Sequence, residues 1–385
     1  MDYSLSEQQL AFRDVAEQFA RDRISPGYLA REEARAYPMD LLAEMGELGL
    51  IAPNLPEKYG GLGCDCQTMG VIIEQIAKGD INMSYALLIG SAVGHMIAAH
   101  SENEIAGRVL SKVIAGEELL ALGLTEPRGG SDAANLMMKA EKDGNSWLLN
   151  GEKTSMSFAT QAKHALIFAR TSGQADGARG VSALIVPLDA PGISRTAFND
   201  VGTAIVSRGS AIFDNVRIPV ENLVGEEGKG FTQVMAGFDF SRAIIGLQCL
   251  GAARASLEET WAYSTEREAF DRPIAQFQGL TFPLSEAETF MLGARDICYR
   301  TLWLRDNGLP HTTEAAMCKW WAPKLSVDII HQCLLSHGHG GYTKNLPHQQ
   351  RLRDVMGLEI GDGTAQVMKL IIAREKAGRV AVQYG

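Results

Sequence analysis

The sequence predicts an α+β chain that runs helical, then β, then helical again. Three observations carry this. Apolar residues recur at helical spacing through the first part of the chain. Short β-like runs separated by Gly, Asn and Asp turns begin near Leu120. From about Gly230 the helical pattern returns and holds to the end. The expected division is a helical domain over 1–120, a β domain over 121–230 and a second helical domain over 231–385.

In the first part, Ser6 and Gln9 form a capping box before a helix with Phe12, Val15 and Phe19 on one face. Asp40 is placed to cap a second helix through Leu41, Leu42 and Met45. Pro and Gly make a loop of Pro53 to Gly63. Helical pattern then covers Met69 to Ala77, Ser84 to Ala99 and Glu102 to Ala115.

In the second part, the β-like runs are Trp147 to Leu149, Ala165 to Ala169, Ser182 to Val186 and Ala211 to Ile218. Asp143-Gly144-Asn145 and Asn150-Gly151 are turns between them. The pattern suits a barrel or a sandwich. Long helices do not alternate with these strands, and no G-x-G-x-x-G follows a strand to open a helix, so a nicotinamide-binding Rossmann sheet is disfavoured. In the third part, candidate helices run from Phe231 to Thr265, Leu284 to Asn307, Thr313 to Ser336 and Thr364 to Val382.

Of the 385 residues, 46% are hydrophobic and 21% charged, with a formal net charge of −10. The acidic balance argues against non-specific nucleic-acid binding. The six cysteines (Cys64, Cys66, Cys249, Cys298, Cys318, Cys333) form no C-x-x-C pair and read as reduced core residues of a cytosolic protein. The N-terminus has acids early and no apolar run, unlike a signal peptide, and no stretch suggests a membrane span.

Five stretches carry chemistry: Leu122-Gly-Leu-Thr-Glu-Pro-Arg-Gly-Gly-Ser-Asp132; Leu149-Asn-Gly-Glu-Lys153 with Ser155-Met-Ser157; Phe213 to Phe231; Arg267 to Gln278; and Arg353 to Gln366. In the first, Gly129 and Gly130 allow close backbone approach to a ligand, and Thr125 and Ser131 offer hydroxyls. A plain polar loop is the competing reading. Together, in this order and spacing, the five resemble the acyl-CoA dehydrogenase family along essentially the whole chain.

The resemblance implies an N-terminal helical domain, a middle β domain and a C-terminal four-helix bundle. It also implies non-covalent FAD, a homotetramer, an acyl-CoA substrate and an electron-transferring flavoprotein as acceptor. It places Leu122, Leu124, Thr125, Gly130 and Ser131 along the flavin, with Ser131 toward CoA. Ser155, Met156 and Ser157 stand where the family has Trp-Ile-Thr behind the flavin; Ser157 keeps the hydroxyl and the Trp is gone. Arg267, Phe270, Phe277 and Gln278 match positions that hold the FAD of a neighbouring subunit, and a guanidinium fork suits a diphosphate. The usual Gln-Phe-Gly reads Ala269-Phe270-Asp271 here. Gly338, in His337-Gly-His339-Gly-Gly-Tyr-Thr343, lies in a loop similar to the family's flavin-contacting one. His337 and His339 lack a third metal ligand, and no metal is expected; the remaining histidines read as loop or helix-surface residues. Asp239, Ser241 and Arg242 match the segment that contacts CoA, against a reading as a helix cap and surface ion pair.

Dehydrogenation needs a carboxylate to take the α-proton while a β-hydride moves to flavin N5. The family's Tyr-Glu-Gly-Thr is Gly361-Asp362-Gly363-Thr364 here. Asp362 therefore stands at the catalytic base, with Thr364 and Gln366 at flavin-contacting places and Gly361 and Gly363 beside the substrate. The alternative is that Asp362 only caps the following helix. Ser241 stands where some branches carry another Glu. Asp is one methylene shorter than Glu, and Gly361 replaces a ring. Both changes enlarge the acyl pocket and suit a branched or cyclic acyl group, with a cyclohexane-carboxyl thioester as the specific expectation. An oxidase of the same fold acting on a nitroalkane or acyl-CoA, and a non-catalytic flavin-binding protein, are the alternatives.

Overall fold

The computed structural model describes residues 4–171 and 178–381. Met1 to Tyr3 and Val382, parts of the N-terminal and last-helix readings, lie outside these residues. Helix α1 (Glu7–Phe19) opens as expected: Gln9 N donates to Ser6 Oγ at 3.2 Å, and Ser6 N donates to Gln9 Oε1 at 3.0 Å. α2 (Tyr28–Ala34) follows a tight turn containing Pro26. α3 (Met39–Glu47) corrects the expectation for Asp40. Pro38 is the N-cap, and Leu42 N already donates to its carbonyl at 3.1 Å, so the winding starts before Asp40 can cap it. Asp40 instead sits in the first turn, where its charge favours the helix dipole.

α4 (Cys66–Gly79) starts earlier than its apolar pattern because Asp65 caps it, taking a hydrogen bond from Thr68 N at 2.6 Å. α5 (Ser84–His100) is buried on nearly every face, and packs on α4, α6 (Glu104–Ile114) and the β region.

The strands are β1 (Leu120–Gly123), β2 (Lys139–Asp143), β3 (Ser146–Met156), β4 (His164–Arg170), β5 (Val181–Pro187), β6 (Ile193–Ala197), β7 (Gly209–Pro219) and β8 (Leu223–Val224). They form one sheet in the order β6-β7-β3-β2-β4-β5-β8. β4 is a fork: β1 pairs in parallel along its first four residues, and β2 joins only at Arg170, opposite Lys139. β4 and β5 are apolar runs buried on both faces, as such a central position demands. The β3–β7 ladder breaks register between Lys153 and Met156, and Ser155 there has φ 56°. Such a bulge re-aims side chains at a strand end.

α7 (Gly230–Glu266) leads through a two-strand ribbon, β9 (Glu268–Ala269) and β10 (Arg272–Pro273), into α8 (Gln278–Asp306). α9 (Thr312–Ser336), the single turn α10 (Gly338–Gly341), α11 (His348–Met356) and α12 (Ala365–Ala377) complete the chain. α9 packs against α7, α8, α11 and α12. Asp354 on α11 accepts hydrogen bonds from Tyr28 Oη at 2.7 Å, Asn82 Nδ2 at 2.8 Å and Thr203 N at 2.6 Å, joining the early helices, the β region and the last helices. The surface reading of the remaining histidines fails at His348. It is buried on α11, with its ring 4.3 Å from that of His337, because α11 turns this face into the packing below α7. All six cysteines are free and buried. Among the described residues no helix is long and apolar enough to cross a membrane.

Candidate active site

Two clusters emerge. The first joins the loop after β1 to the end of β3. Thr154 N donates to Thr125 O at 2.9 Å. Lys153 is fully buried; its Nζ donates to Leu124 O at 3.1 Å and pairs with Glu126 Oε1 at 2.7 Å. Glu126 also accepts from Met137 N at 2.7 Å and Met138 N at 3.0 Å. These bonds set Leu124 and Thr125 beside the strand end that carries Ser155, Met156 and Ser157; Gly130 lies against Thr125, Ser131 follows it in the loop, and Leu122 precedes them on β1. Leu124 and Met156 are buried, so Met156 turns into the core. Ser155 is exposed and accepts from Arg208 Nη1 at 3.0 Å, while Arg208 also forks onto Asp200.

The second cluster surrounds Asp362. Its φ is 56°, in the left-handed region that Asp tolerates better than most residues, and Gly363 follows at φ 98°. The φ of 98° favours glycine at 363; a Cβ there would also meet Met368 Cε at 2.5 Å, a contact the flexible methionine could relieve. Thr364, not Asp362, caps α12, its Oγ1 accepting from Val367 N at 3.3 Å. Among the described residues the Asp362 carboxylate has no hydrogen bond or close ion pair. Asp362 is exposed at the surface of the chain, yet the protein packed around its carboxyl raises the pKa by desolvation, against the pull of Lys319 and Arg242. Arg242 is buried, pairs with Asp239 at 2.7 Å, and leaves its Nε without a partner. Asp239 also accepts from Thr312 Oγ1 at 2.6 Å. Ser241 spends its hydroxyl on Phe238 O at 3.1 Å and is buried. Gly361 and Gln366 are exposed beside the turn.

Tyr85 on α5 links the clusters. Burial raises its pKa well above 10.0, its phenol lies within the electrostatic reach of Asp362 and Arg208, and among the described residues its hydroxyl has no hydrogen bond. Neither Tyr85 nor Lys319 was assigned a role from the sequence. Lys319 carried a signal, a single cation in Ala315-Ala-Met-Cys-Lys-Trp-Trp321; Tyr85, within an apolar run, carried none.

Arg267, Phe270, Phe277 and Gln278 form a separate patch at the end of α7. Phe270 is 87% exposed, its ring 5.9 Å from that of Phe277, and the Arg272 guanidinium lies 4.3 Å from the Phe277 ring. Gly338 is near this end: His337 stacks 4.2 Å from Tyr263, whose carbonyl accepts from Arg267 N. These contacts do not reach Asp362. The donor set, with hydroxyls at the β-bulge and a guanidinium beside exposed aromatic rings, fits the flavin and diphosphate–adenine ends of FAD.

A helical–β–helical chain with a free carboxylate on the turn before its last long helix and hydroxyls at a bulged strand end fits a flavin-dependent dehydrogenase. Three family models match in succession: the acyl-CoA dehydrogenase N-terminal domain over residues 6–117, the middle domain over 121–216 and the C-terminal domain over 228–377. The chain belongs to the acyl-CoA dehydrogenase family, and is an FAD-dependent enzyme that dehydrogenates acyl-CoA thioesters. It is 33% identical over 378 residues to the probable acyl-CoA dehydrogenase YngJ of Bacillus subtilis (strain 168), covering 97% of this chain and 99% of that one. It superposes on butyryl-CoA dehydrogenase from Megasphaera elsdenii with TM-score 0.94 and 27% identity, over 98% and 100% of the two chains. A chain from the structural work on the electron transferring flavoprotein of Acidaminococcus fermentans gives TM-score 0.94 and 30% identity, over 98% and 99%.

Proposed function

We propose that Asp362 is the base of this dehydrogenase and that its acyl group is branched or cyclic. The supporting observation is the Asp362 carboxylate itself. It is free of the helix cap, has no hydrogen bond or ion pair among the described residues, and is raised in pKa by desolvation although the residue is exposed. A raised carboxyl pKa moves the base toward the basicity needed to take a proton made acidic by a thioester carbonyl. Bound FAD supplies the two-electron acceptor for the hydride leaving Cβ. The chain's own groups divide the remaining work. Asp362 takes the Cα proton; Thr125, Ser155 and Ser157 orient the flavin edge; Arg242 and Asp239 border the CoA side. The short Asp side chain and Gly361 leave room for a bulky acyl group, while Tyr85 reaches the same space from α5.

We further infer a homotetramer in which Arg267, Phe270, Phe277 and Gln278 hold the FAD of a neighbouring copy. Support comes from the lack of any contact with Asp362 among the described residues and from exposed apolar residues nearby, Phe270 in the β9–β10 turn and Phe282, Phe290 and Leu292 along α8. An electron-transferring flavoprotein is the inferred acceptor, and the cytoplasm the inferred compartment. The test is anaerobic titration of the FAD-loaded protein with straight-chain, branched and cyclohexane-carboxyl acyl-CoAs. Faster flavin bleaching by the branched or cyclic esters is expected. Equal or faster bleaching by butyryl-CoA would remove the acyl assignment. Bleaching by nitroalkanes alone, with peroxide formed in air, would make the chain an oxidase.

A further inference from the structure

Lys319 is a buried cation that the proposed chemistry leaves unused. It projects from the middle of α9 and is 1% exposed. Its Nζ donates to Leu358 O at 2.6 Å and to Gly363 O at 3.1 Å. These carbonyls lie on either side of Asp362. The turn between them holds two successive residues in the left-handed region, Asp362 at φ 56° and Gly363 at φ 98°. An L residue there is strained and persists when its surroundings hold it. Lys319 grips both ends of that turn.

Its charge also matters. Among the described residues no acid lies within ion-pair distance of Lys319, and burial lowers its pKa. A methionine would fill similar space without that desolvation cost. The groups facing it are Asp362 and Glu359 on the turn, and Cys249 and Arg242 on α7. Asp362 is faced by Lys319, by Arg242 and, from α5, by Tyr85. Arg242 is already offset by Asp239 at 2.7 Å. Lys319 is therefore the larger uncompensated positive charge near the carboxylate.

We propose that Lys319 is a positioning residue: from inside the bundle it holds the turn that presents the Asp362 carboxylate and keeps that carboxylate ionised. This rests on Asp362 being the base. The amine touches the backbone of the turn, so it acts through Asp362.

The test uses FAD-loaded Lys319→Met and Lys319→Gln enzymes. Stopped-flow flavin reduction by butyryl-CoA and cyclohexane-carboxyl-CoA is followed between about pH 5 and 9. FAD content and acyl-CoA dissociation constants should stay within about twofold of the parent, while the limiting reduction rate falls about tenfold or more. Losing the nearby positive charge makes the carboxyl harder to ionise, so the acid limb of the profile should move up by about 0.5–1 pH unit. An unmoved acid limb, whatever the change in melting temperature, overturns the proposal. So does loss of FAD from both variants, which would make the lysine a residue of the fold alone. Asp362→Asn is run in parallel. If it keeps the parent rate, the base assignment itself fails. If it is inactive and the Lys319 variants keep the parent profile, only the role of Lys319 fails.

Discussion

Lys153→Met removes the cation of a fully enclosed ion pair without much change in shape. In the parent, Lys153 Nζ reaches Glu126 Oε1 at 2.7 Å and Leu124 O at 3.1 Å. Removing one partner of a buried pair costs about 3–5 kcal/mol, because the other charge is left behind. Here Glu126 keeps two backbone donors, Met137 N and Met138 N, so the cost falls near the lower end, about 3 kcal/mol. With an unfolding entropy of about 2.1 cal/mol/K per residue, 385 residues give about 0.8 kcal/mol/K, and the melting temperature should drop about 4 °C. FAD should also dissociate more readily, since the Leu124–Thr125 backbone loses its anchor. The assay is thermal unfolding of the holoenzyme, followed by flavin fluorescence, for the parent, Lys153→Met, Glu126→Gln and the double variant. The double variant should recover about half of the loss seen in Lys153→Met, because no charge is then stranded. A single variant melting within about 1 °C of the parent, or a double variant showing the plain sum of both losses, would refute this reasoning.

Three other outcomes are expected. Asp362→Asn should keep its FAD and lose about 10²- to 10⁴-fold in flavin reduction rate, measured by stopped flow. The same variant tests linkage: the folded-state pKa of Asp362 lies above its ordinary 3.8, so its ionised form destabilises the fold at neutral pH. The variant should then melt above the parent near neutrality, with the difference fading as pH falls toward 3.8. Arg267→Ala should lose FAD on dilution and gel filtration, read from the absorbance ratio, while keeping its secondary structure by circular dichroism. Tyr85→Phe removes a hydroxyl that bonds none of the described residues, so stability should change by less than about 0.5 kcal/mol. Its kcat/KM ranking among acyl-CoAs with and without an oxygen substituent should shift about tenfold, measured by steady-state kinetics.

Helix positions were readable where one face is apolar and a cap residue punctuates the start, as in α1 and α6. α11 was missed because His348-Gln-Gln-Arg-Leu-Arg-Asp-Val-Met356 is mostly polar, and its burial rests on ion pairs such as Arg351 with Glu259 rather than on apolar spacing. The sheet path was not legible, since the pairing of β1 with β4 depends on contacts across the whole middle of the chain. At the site, Asp362 stood out because Gly361-Asp362-Gly363-Thr364 resembles the family's Tyr-Glu-Gly-Thr; the left-handed turn it occupies was not legible. Arg208 did not, since its approach to Ser155 depends on the β3–β7 bulge. Lys319 and Asp362 are distant in sequence, and only the packing of α9 beneath the turn makes them neighbours.

Asp354 leaves a mechanical signature on the whole molecule. Its one side chain is the shared hinge pin of Tyr28, Asn82 and Thr203, so loosening α11 strands donors in three segments at once. The enzyme should therefore melt as one body with a single calorimetric peak, and a protease should not liberate a stable central fragment.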